Sequence, residues 1–277
     1  MKQVVELEEL RRTIQTLPQP LGFVPTMGFL HDGHISLADL AKMECETVVA
    51  SIFVNPAQFG PGEDLSAYPR DILGDLEKLE KAGVDLVWLP TPQVMYPTGF
   101  NTWVSVEGVS ESLEGAARPH HFRGVATVVT KLFTAVGPDF AYFGQKDAQQ
   151  VAVIKQLTRD LNFPIQIVVC PTVREPDGLA MSSRNTYLNA DERRAAKVLY
   201  RALEKARTTF SKGERNSDAL RTIMRETIAS EPLAKLQYAS CADPETLQEL
   251  DQVVDHALLS LAVFIGKTRL IDNILLG

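Results

Sequence analysis

Short apolar runs alternate with stretches of helical period through the first two thirds of the chain. Leu21–Met27 is an apolar run that ends in a turn, and the residues from Ile35 to Glu46 repeat at helical spacing. Thr47–Asn55 reads as the next strand. Pro69–Gly83 reads as a helix, with Pro at its start and Gly at its end. Asp85–Pro90 continues the strands, and the alternation in Thr102–Gly108 predicts an extra one. Helices at Gly124–Val136 and Asp147–Leu161 flank a strand at Phe140–Gly144, and a further strand covers Ile165–Pro171. The first fourteen residues read as one amphipathic helix.

Apolar strands alternating with helices predict an α/β fold with a parallel sheet covered on both faces. In such sheets ligands bind beyond the C-terminal strand ends. The pattern changes after about residue 175. A long helix at Asn189–Phe210 and a second at Ser217–Ser230 precede three short strands, at Leu236–Ala242, Leu258–Gly266 and Thr268–Leu276. The expected organisation is therefore residues 1–175 as the nucleotide-binding domain and residues 176–277 as a smaller α+β C-terminal lid domain.

Composition narrows the class. Hydrophobic residues make up 45% of the 277 and charged residues 23%, ordinary for a soluble globular chain. The formal charge of −7, with no basic run, argues against a nucleic-acid partner or an anionic membrane. Cys45, Cys170 and Cys241 are far apart and form no C-x-x-C pair, so disulfides and a zinc site are not expected and a reducing cytoplasm fits. The N-terminal stretch has no apolar signal core.

Polar motifs follow the strand ends. Met27-Gly28-Phe29-Leu30-His31-Asp32-Gly33-His34 joins the first apolar run to the next helix. A helix start offers free N–H groups and a positive dipole end, which suit phosphate. His31 and His34 would share a helical face and could donate to phosphate oxygens. A surface turn with two solvated histidines, or a metal pair, is also compatible with these residues alone. Gly144-Gln145-Lys146-Asp147 lies between a strand and a helix, where Lys146 suits phosphate and Asp147 a helix cap. Gln149 and Gln150 point to different helix faces. Met181-Ser182-Ser183-Arg184 sets two hydroxyls beside a guanidinium, a compact oxyanion binder. Gln58 puts an amide at the end of the second strand, and a cation-rich segment, Arg118–Gly124, precedes a helix.

In this order and spacing, the segments PTMGFLHDGH, VNPAQF, YPRD, LEGAARP, HFRGVATVV, FGQKDAQQ and MSSRN, with LIDN near the end, resemble the pantothenate synthetase family of the nucleotidylyltransferase superfamily. The resemblance covers essentially the whole chain. It implies a Rossmann-like parallel-sheet domain with an H-x-G-H nucleotide site, and an ATP-dependent ligase that joins pantoate to β-alanine through pantoyl-adenylate. It implies that Met27, Gly28, Phe29, Leu30, His31, Asp32, Gly33 and His34 bind ATP, with His34, His31 and Lys146 catalytic. Gly144, Gln145, Lys146, Asp147, Val173, Met181, Ser182, Ser183 and Arg184 join the ATP set, and Gln58 and Gln150 hold pantoate. Mg²⁺ accompanies ATP, no residue is assigned to metal, and the family is commonly homodimeric. Two positions depart from the pattern: His120 stands where the family usually has Gly, and Gln145 where it usually has Glu.

Overall fold

The computed structural model describes residues 1–253 and 255–277, and contacts divide the chain into two units. The first comprises Met1–Gly144 and Val153–Pro171, the second Gln145–Ala152 and Thr172–Gly277.

The first unit is built on a six-stranded, all-parallel sheet. Its elements begin with β1 (Lys2–Val4), α1 (Leu7–Ile14), β2 (Leu21–Thr26), α2 (Asp32–Glu44), β3 (Thr47–Ile52), α3 (Ile72–Lys81) and β4 (Leu86–Trp88). They continue with α4 (Pro92–Met95), α5 (Glu114–Ala117), α6 (His121–Val136), β5 (Phe140–Gly144), α7 (Ala148–Asp160), which enters this unit at Val153, and β6 (Gln166–Cys170). The strand order is β1-β4-β3-β2-β5-β6. Connections from β2 run outward one way through β3 and β4, and from β5 the other way to β6. Strands β2 and β5 therefore flank the switch point, where an open parallel sheet has its ligand crevice. β3 is buried along its whole length, as expected for a strand covered on both faces.

Several boundaries differ from those the sequence predicts. The N-terminal helix is a strand followed by a helix: Lys2–Val4 pair in parallel with Leu86–Trp88. Three residues at a sheet edge are too few to show a period of two. Thr102–Gly108 forms no strand. Its alternating residues find no partner strand, and the Val104 N–H donates to Thr127 Oγ1 instead, at 3.0 Å. Helix α2 starts at Asp32, with His31 as an extended N-cap. Helix α3 starts at Ile72 and not at Pro69, because Asp71 caps it by accepting from the Gly74 N–H at 3.1 Å. Strand β3 stops at Ile52, shortly before Pro56, which has no N–H for a ladder.

The second unit packs α9 (Val198–Ser211) and α10 (Ser217–Ala229), preceded by α8 (Ala190–Ala195), on a three-stranded antiparallel sheet. Its strands are β7 (Ala234–Ala242), β8 (Ala257–Ile265) and β9 (Thr268–Leu276), with β8 central. Leu199, Leu203, Leu220, Met224, Leu259 and Leu261 lie at its core. The expected long helix is interrupted at Ala196–Lys197, where the Leu199 N–H bonds to Ala196 O three residues back in place of a four-residue step. The division by contacts falls after Pro171, four residues before the expected 175/176 boundary. It also assigns Gln145–Ala152 to the second unit. Asn273 of β9 explains that assignment, because its side chain binds the carbonyl oxygens of Gln145 and Lys146.

Candidate active site

The Met27–His34 segment leaves β2 at the switch point and is held in an uncommon backbone shape. Gly28 has φ 81° and Phe29 φ 51°. A Cβ on Gly28 would stand 2.9 Å from Ile52 Cγ2 and 3.0 Å from Asp75 Oδ2, so both the angle and the space require Gly. Asp75, fully buried on α3, fixes this turn. Its two oxygens accept from the N–H groups of Phe29 at 2.7 Å and Leu30 at 2.6 Å. Lys78, one turn further along α3, donates to Leu30 O at 2.7 Å. Burial pushes the Asp75 carboxyl up, against the pull of those two N–H groups.

The two histidines sit at the start of α2, with ring centroids 4.1 Å apart. His31 is the N-cap and His34 the third helical residue, so their proximity arises across the cap. The His31 N–H donates to His34 Nδ1 at 3.3 Å. A backbone N–H only donates, so Nδ1 accepts and the ring proton of neutral His34 resides on Nε2. The local cap thus fixes the tautomer that makes Nε2 a donor.

Gln58 is oriented from two sides. It ends a short 3₁₀ turn (Pro56–Gln58) capped by Asn55, which is 1% exposed. Asn55 Oδ1 accepts from the Ala57 N–H at 3.2 Å and the Tyr96 hydroxyl at 2.7 Å. Asn55 Nδ2 donates to Gln58 Oε1 and to Gly124 O, both at 3.1 Å. This occupies the oxygen of Gln58 and leaves its amide nitrogen facing Met27 Sδ, a weak acceptor, at 2.9 Å. Gln58 therefore presents a donor, suited to a carboxylate or hydroxyl oxygen. Helix α6 comes close enough for this only because residue 124 is Gly: a Cβ there would lie 2.2 Å from Ala57 O. Burial pushes the Tyr96 phenol up to about 12.

On the other side of the turn, His121 Nδ1 donates to Gln58 O at 2.8 Å, while its Nε2 faces Arg118 Nη1 at 3.2 Å. Arg118 forks onto Glu63, through Nε at 2.9 Å and Nη2 at 2.7 Å. Burial, followed by the charge of Arg118, lowers the His121 imidazole to about 4, so the ring is neutral near pH 7. His120, the N-cap of α6, has φ 71°, the left-handed conformation that Gly adopts without cost.

The remaining candidates belong to the second unit, except Gly144, which ends β5. Lys146 lies in the 3₁₀ turn Gln145–Asp147, 3.6 Å from the Asp147 carboxylate. Gln145 Nε2 donates to Asn273 Oδ1 at 3.1 Å, a bond that an ionised Glu could not donate. This gives the departure at 145 a local reason. Gln149 is buried and Gln150 half-buried. Val173 and Met181 are joined by the Met181 N–H to Val173 O bond at 3.0 Å. Ser182 caps the 3₁₀ turn Ser183–Tyr187 by accepting from the Arg184 N–H at 3.3 Å, and Ser183 is buried. Asn185 donates to Glu175 Oε1 and to Ala180 O, closing the loop around Met181–Arg184.

Sequence reasoning missed Asp75, Asn55, Tyr96, His121 and Asn273 as organisers of these candidates. Asn55 directly before Pro56 carried a turn-capping signal. The others act across long sequence separations, so that even where His121 and Asn273 fall in quoted segments the bracing role has no local pattern. Among the described residues no three His, Cys, Asp or Glu side chains stand together as a metal ligand set, and no helix is long and apolar enough to cross a membrane.

Known proteins resemble this chain over its full length. A family profile described as pantoate-beta-alanine ligase matches residues 1–275. The pantothenate synthetase of Herpetosiphon aurantiacus is 57% identical over 277 residues, all of both chains. That of a Roseiflexus species is 58% identical over 276 residues, covering 100% of this chain and 99% of the relative. The crystal structure of the Thermus thermophilus pantothenate synthetase superposes with a TM-score of 0.95 at 47% identity, over 99% of each chain. The Francisella tularensis pantoate-beta-alanine ligase, complexed with beta-gamma ATP and beta-alanine, gives a TM-score of 0.83 at 38% identity, over 99% of this chain and 97% of that one. Full-length identity at this level, on the same fold and under one family profile, makes the chain an enzyme of the pantoate–β-alanine ligase family.

Proposed function

We propose that the protein condenses pantoate with β-alanine in two steps through pantoyl-adenylate, consuming ATP and releasing diphosphate and then AMP. The observation that carries this reading is the cap at the start of α2, in which His34 Nδ1 accepts from the His31 N–H, so that Nε2 of the neutral ring is a hydrogen-bond donor. A carboxylate does not acylate an amine in water, because its leaving group would be oxide or hydroxide. Attack of a pantoate carboxylate oxygen on the α-phosphorus forms a C(O)–O–P bond and breaks the bond to the β-phosphate, so diphosphate departs. The neutral amine of β-alanine then attacks the acyl carbon. The C–O bond to AMP breaks, the amide forms, and the nitrogen gives up a proton.

The chemistry divides among the residues. Met27–His34, Gly144–Asp147, Val173 and Met181–Arg184 are assigned to ATP, with Val173 beside the adenine. His31, His34, Lys146, Ser182, Ser183 and Arg184 supply donors and positive charge to the phosphates. Gln58 and Gln150 hold pantoate, and the fixed orientation of Gln58 supports its use as a donor. Mg²⁺ enters with ATP as part of the substrate, since it prefers phosphate oxygens and water to an all-protein cage; it offsets triphosphate charge. No covalent nucleophile is needed, and all three cysteines are buried as free thiols. By likeness to the family, the protein is assigned to the cytoplasm as a homodimer.

Pantoate-dependent exchange of labelled diphosphate into ATP tests the first step. Exchange that requires pantoate supports the reading, and pantoate-independent exchange overturns it. Gln58→Ala should weaken pantoate binding by about 1–3 kcal/mol, the cost of an unpaired polar partner, and leave ATP binding nearly unchanged in calorimetry.

A further inference from the structure

The last strand carries two adjacent polar side chains that the steps above do not use. Asp272 and Asn273 lie on β9 and are 2% and 4% exposed. Buried polar groups need partners; Asn273 finds its own in a segment assigned to the nucleotide, and Asp272 finds Arg174, the neighbour of Val173. Asn273 Nδ2 donates to Gln145 O at 3.1 Å and to Lys146 O at 2.8 Å, while its Oδ1 accepts from Gln145 Nε2 at 3.1 Å. Only the amide nitrogen can meet two carbonyls, so the side chain has one allowed orientation. Asp272 takes a two-pronged bond from Arg174, at 2.6 and 2.9 Å, and accepts the Asn273 N–H at 2.8 Å. Arg174 also donates to Gly178 O and Asn273 O, both at 3.1 Å. Its guanidinium lies 4.2 Å from the Tyr200 ring centroid. Arg174 follows Val173, whose carbonyl accepts the Met181 N–H.

One dipeptide thus ties down the Gln145–Asp147 turn, Val173 and the base of the Met181–Arg184 loop. We propose that Asp272 and Asn273 are positioning residues for phosphate recognition: Asn273 sets the backbone from which Lys146 projects, and Asp272, through Arg174, sets the loop from which Ser182 and Arg184 project. The proposal rests on the assignment of Lys146 to the phosphates. Its physical basis is that a cation on a long, flexible side chain stabilises a transition state only if its backbone origin is fixed, and an error of about 1 Å costs about 10²-fold in rate. A clamp serving only the fold would not distinguish the two half-reactions. This one acts on residues that matter while diphosphate departs.

Asn273→Asp tests the idea. It keeps the shape and the acceptor for Gln145 Nε2, but removes both donors and turns a carboxylate toward two carbonyls. Pantoate-dependent diphosphate exchange is compared with conversion of preformed pantoyl-adenylate by β-alanine, both per folded molecule. The expected result is a loss of about 10²-fold in exchange, with the second step reduced less than about threefold. Adding Lys146→Ala should slow exchange no further than Lys146→Ala alone, because coupled residues are non-additive. Equal losses in both half-reactions, no loss in exchange, or fully additive losses would each overturn the proposal. If Asn273→Asp does not fold, Asn273→Ala is judged by the same ratio. Lys146→Ala alone separates the two levels. Normal exchange in that variant removes Lys146 from the phosphates and the proposal with it. Slow exchange in Lys146→Ala beside normal exchange in Asn273→Asp leaves the phosphate assignment standing and sinks only the positioning role.

Discussion

In the first unit two candidate side chains are set by close sequence neighbours: the His31 N–H meets His34 Nδ1, and the Asn55 amide meets Gln58 Oε1, each three residues apart. In the second unit Lys146 is set by Asn273, 127 residues away, and Arg174 by Asp272, 98 residues away. A local cap forms with its own helix turn and depends little on the rest of the chain. A distant clamp exists only once the three-stranded sheet is in register, so the backbone at Lys146 is tied to the folding of β9. Non-local contacts also carry the larger loop-closure cost.

The largest test falls on the local cap. His34→Ala should lower turnover by roughly 10²–10³-fold, the scale for losing one transition-state donor. The fold should survive, since His34 is only half-buried and the α2 core residues Leu37, Ala38 and Ala41 are untouched. Steady-state kinetics beside a thermal melt checks both halves. Near-normal turnover would leave the cap a structural feature and the contrast between the units without functional content.

His121 sharpens the comparison, because it is a distant brace within the locally organised unit, 63 residues from Gln58. Its folded pKa, about 4, is depressed below the ordinary histidine value of roughly 6.5. The unfolded chain therefore takes up the proton first as pH falls. The stability this group confers is complete above about pH 6.5, declines through the window down to about pH 4, and is constant below it. The full swing is on the order of 3 kcal/mol. Denaturation of the protein and of His121→Asn, from pH 7 to pH 5, should show the variant with the flatter acid limb. Parallel curves would mean that the ring is not held neutral against Arg118.

Asp75→Asn probes the other distant brace of the first unit. The Phe29 and Leu30 N–H groups need two acceptors, and an amide supplies only one. The loss should be about 1–3 kcal/mol of stability, the cost of one buried unpaired donor, with a raised KM for ATP. An unchanged melt and KM would show that the strained turn at Gly28 and Phe29 holds itself.

How far the sequence reveals each unit follows the same division. Strands β2 to β6 and helices α2, α3, α6 and α7 are legible because their periods lie within single segments. So are the H-x-G-H turn and the Gln58 turn, whose chemistry is local. The edge strand β1 is hidden because Lys2–Val4 is too short to show a period, and the Thr102–Gly108 alternation misleads because a strand also needs a neighbour to bond with. The bracing roles of Asp75, His121 and Asn273 are hidden for a related reason: a buried polar residue takes its meaning from the distant group it meets. The interruption at Ala196–Lys197 is too short for periodicity to reveal, since the apolar face continues across it in Ala195, Ala196, Val198 and Leu199.

The smallest effect concerns a position where the sequence departs from its family. His120 stands where Gly is usual, and its φ of 71° puts a side chain in the left-handed region. That conformation costs a non-glycine residue of order 1–2 kcal/mol. Gly removes the strain but loses more chain entropy on folding, roughly 0.5–1 kcal/mol. His120→Gly should therefore stabilise the protein by only about 0.5–1 kcal/mol. The His120 side chain is exposed, so no packing is lost with it. Chemical denaturation of the pair measures the difference, and exchange kinetics should stay unchanged, because His121 keeps its bond to Gln58 O. A destabilised His120→Gly protein would mean that the imidazole makes a contact worth more than the strain. A change in pantoate binding would show that the turn before α6 reaches Gln58 through the backbone, which would make this brace as consequential for the first unit as Asn273 is for the second.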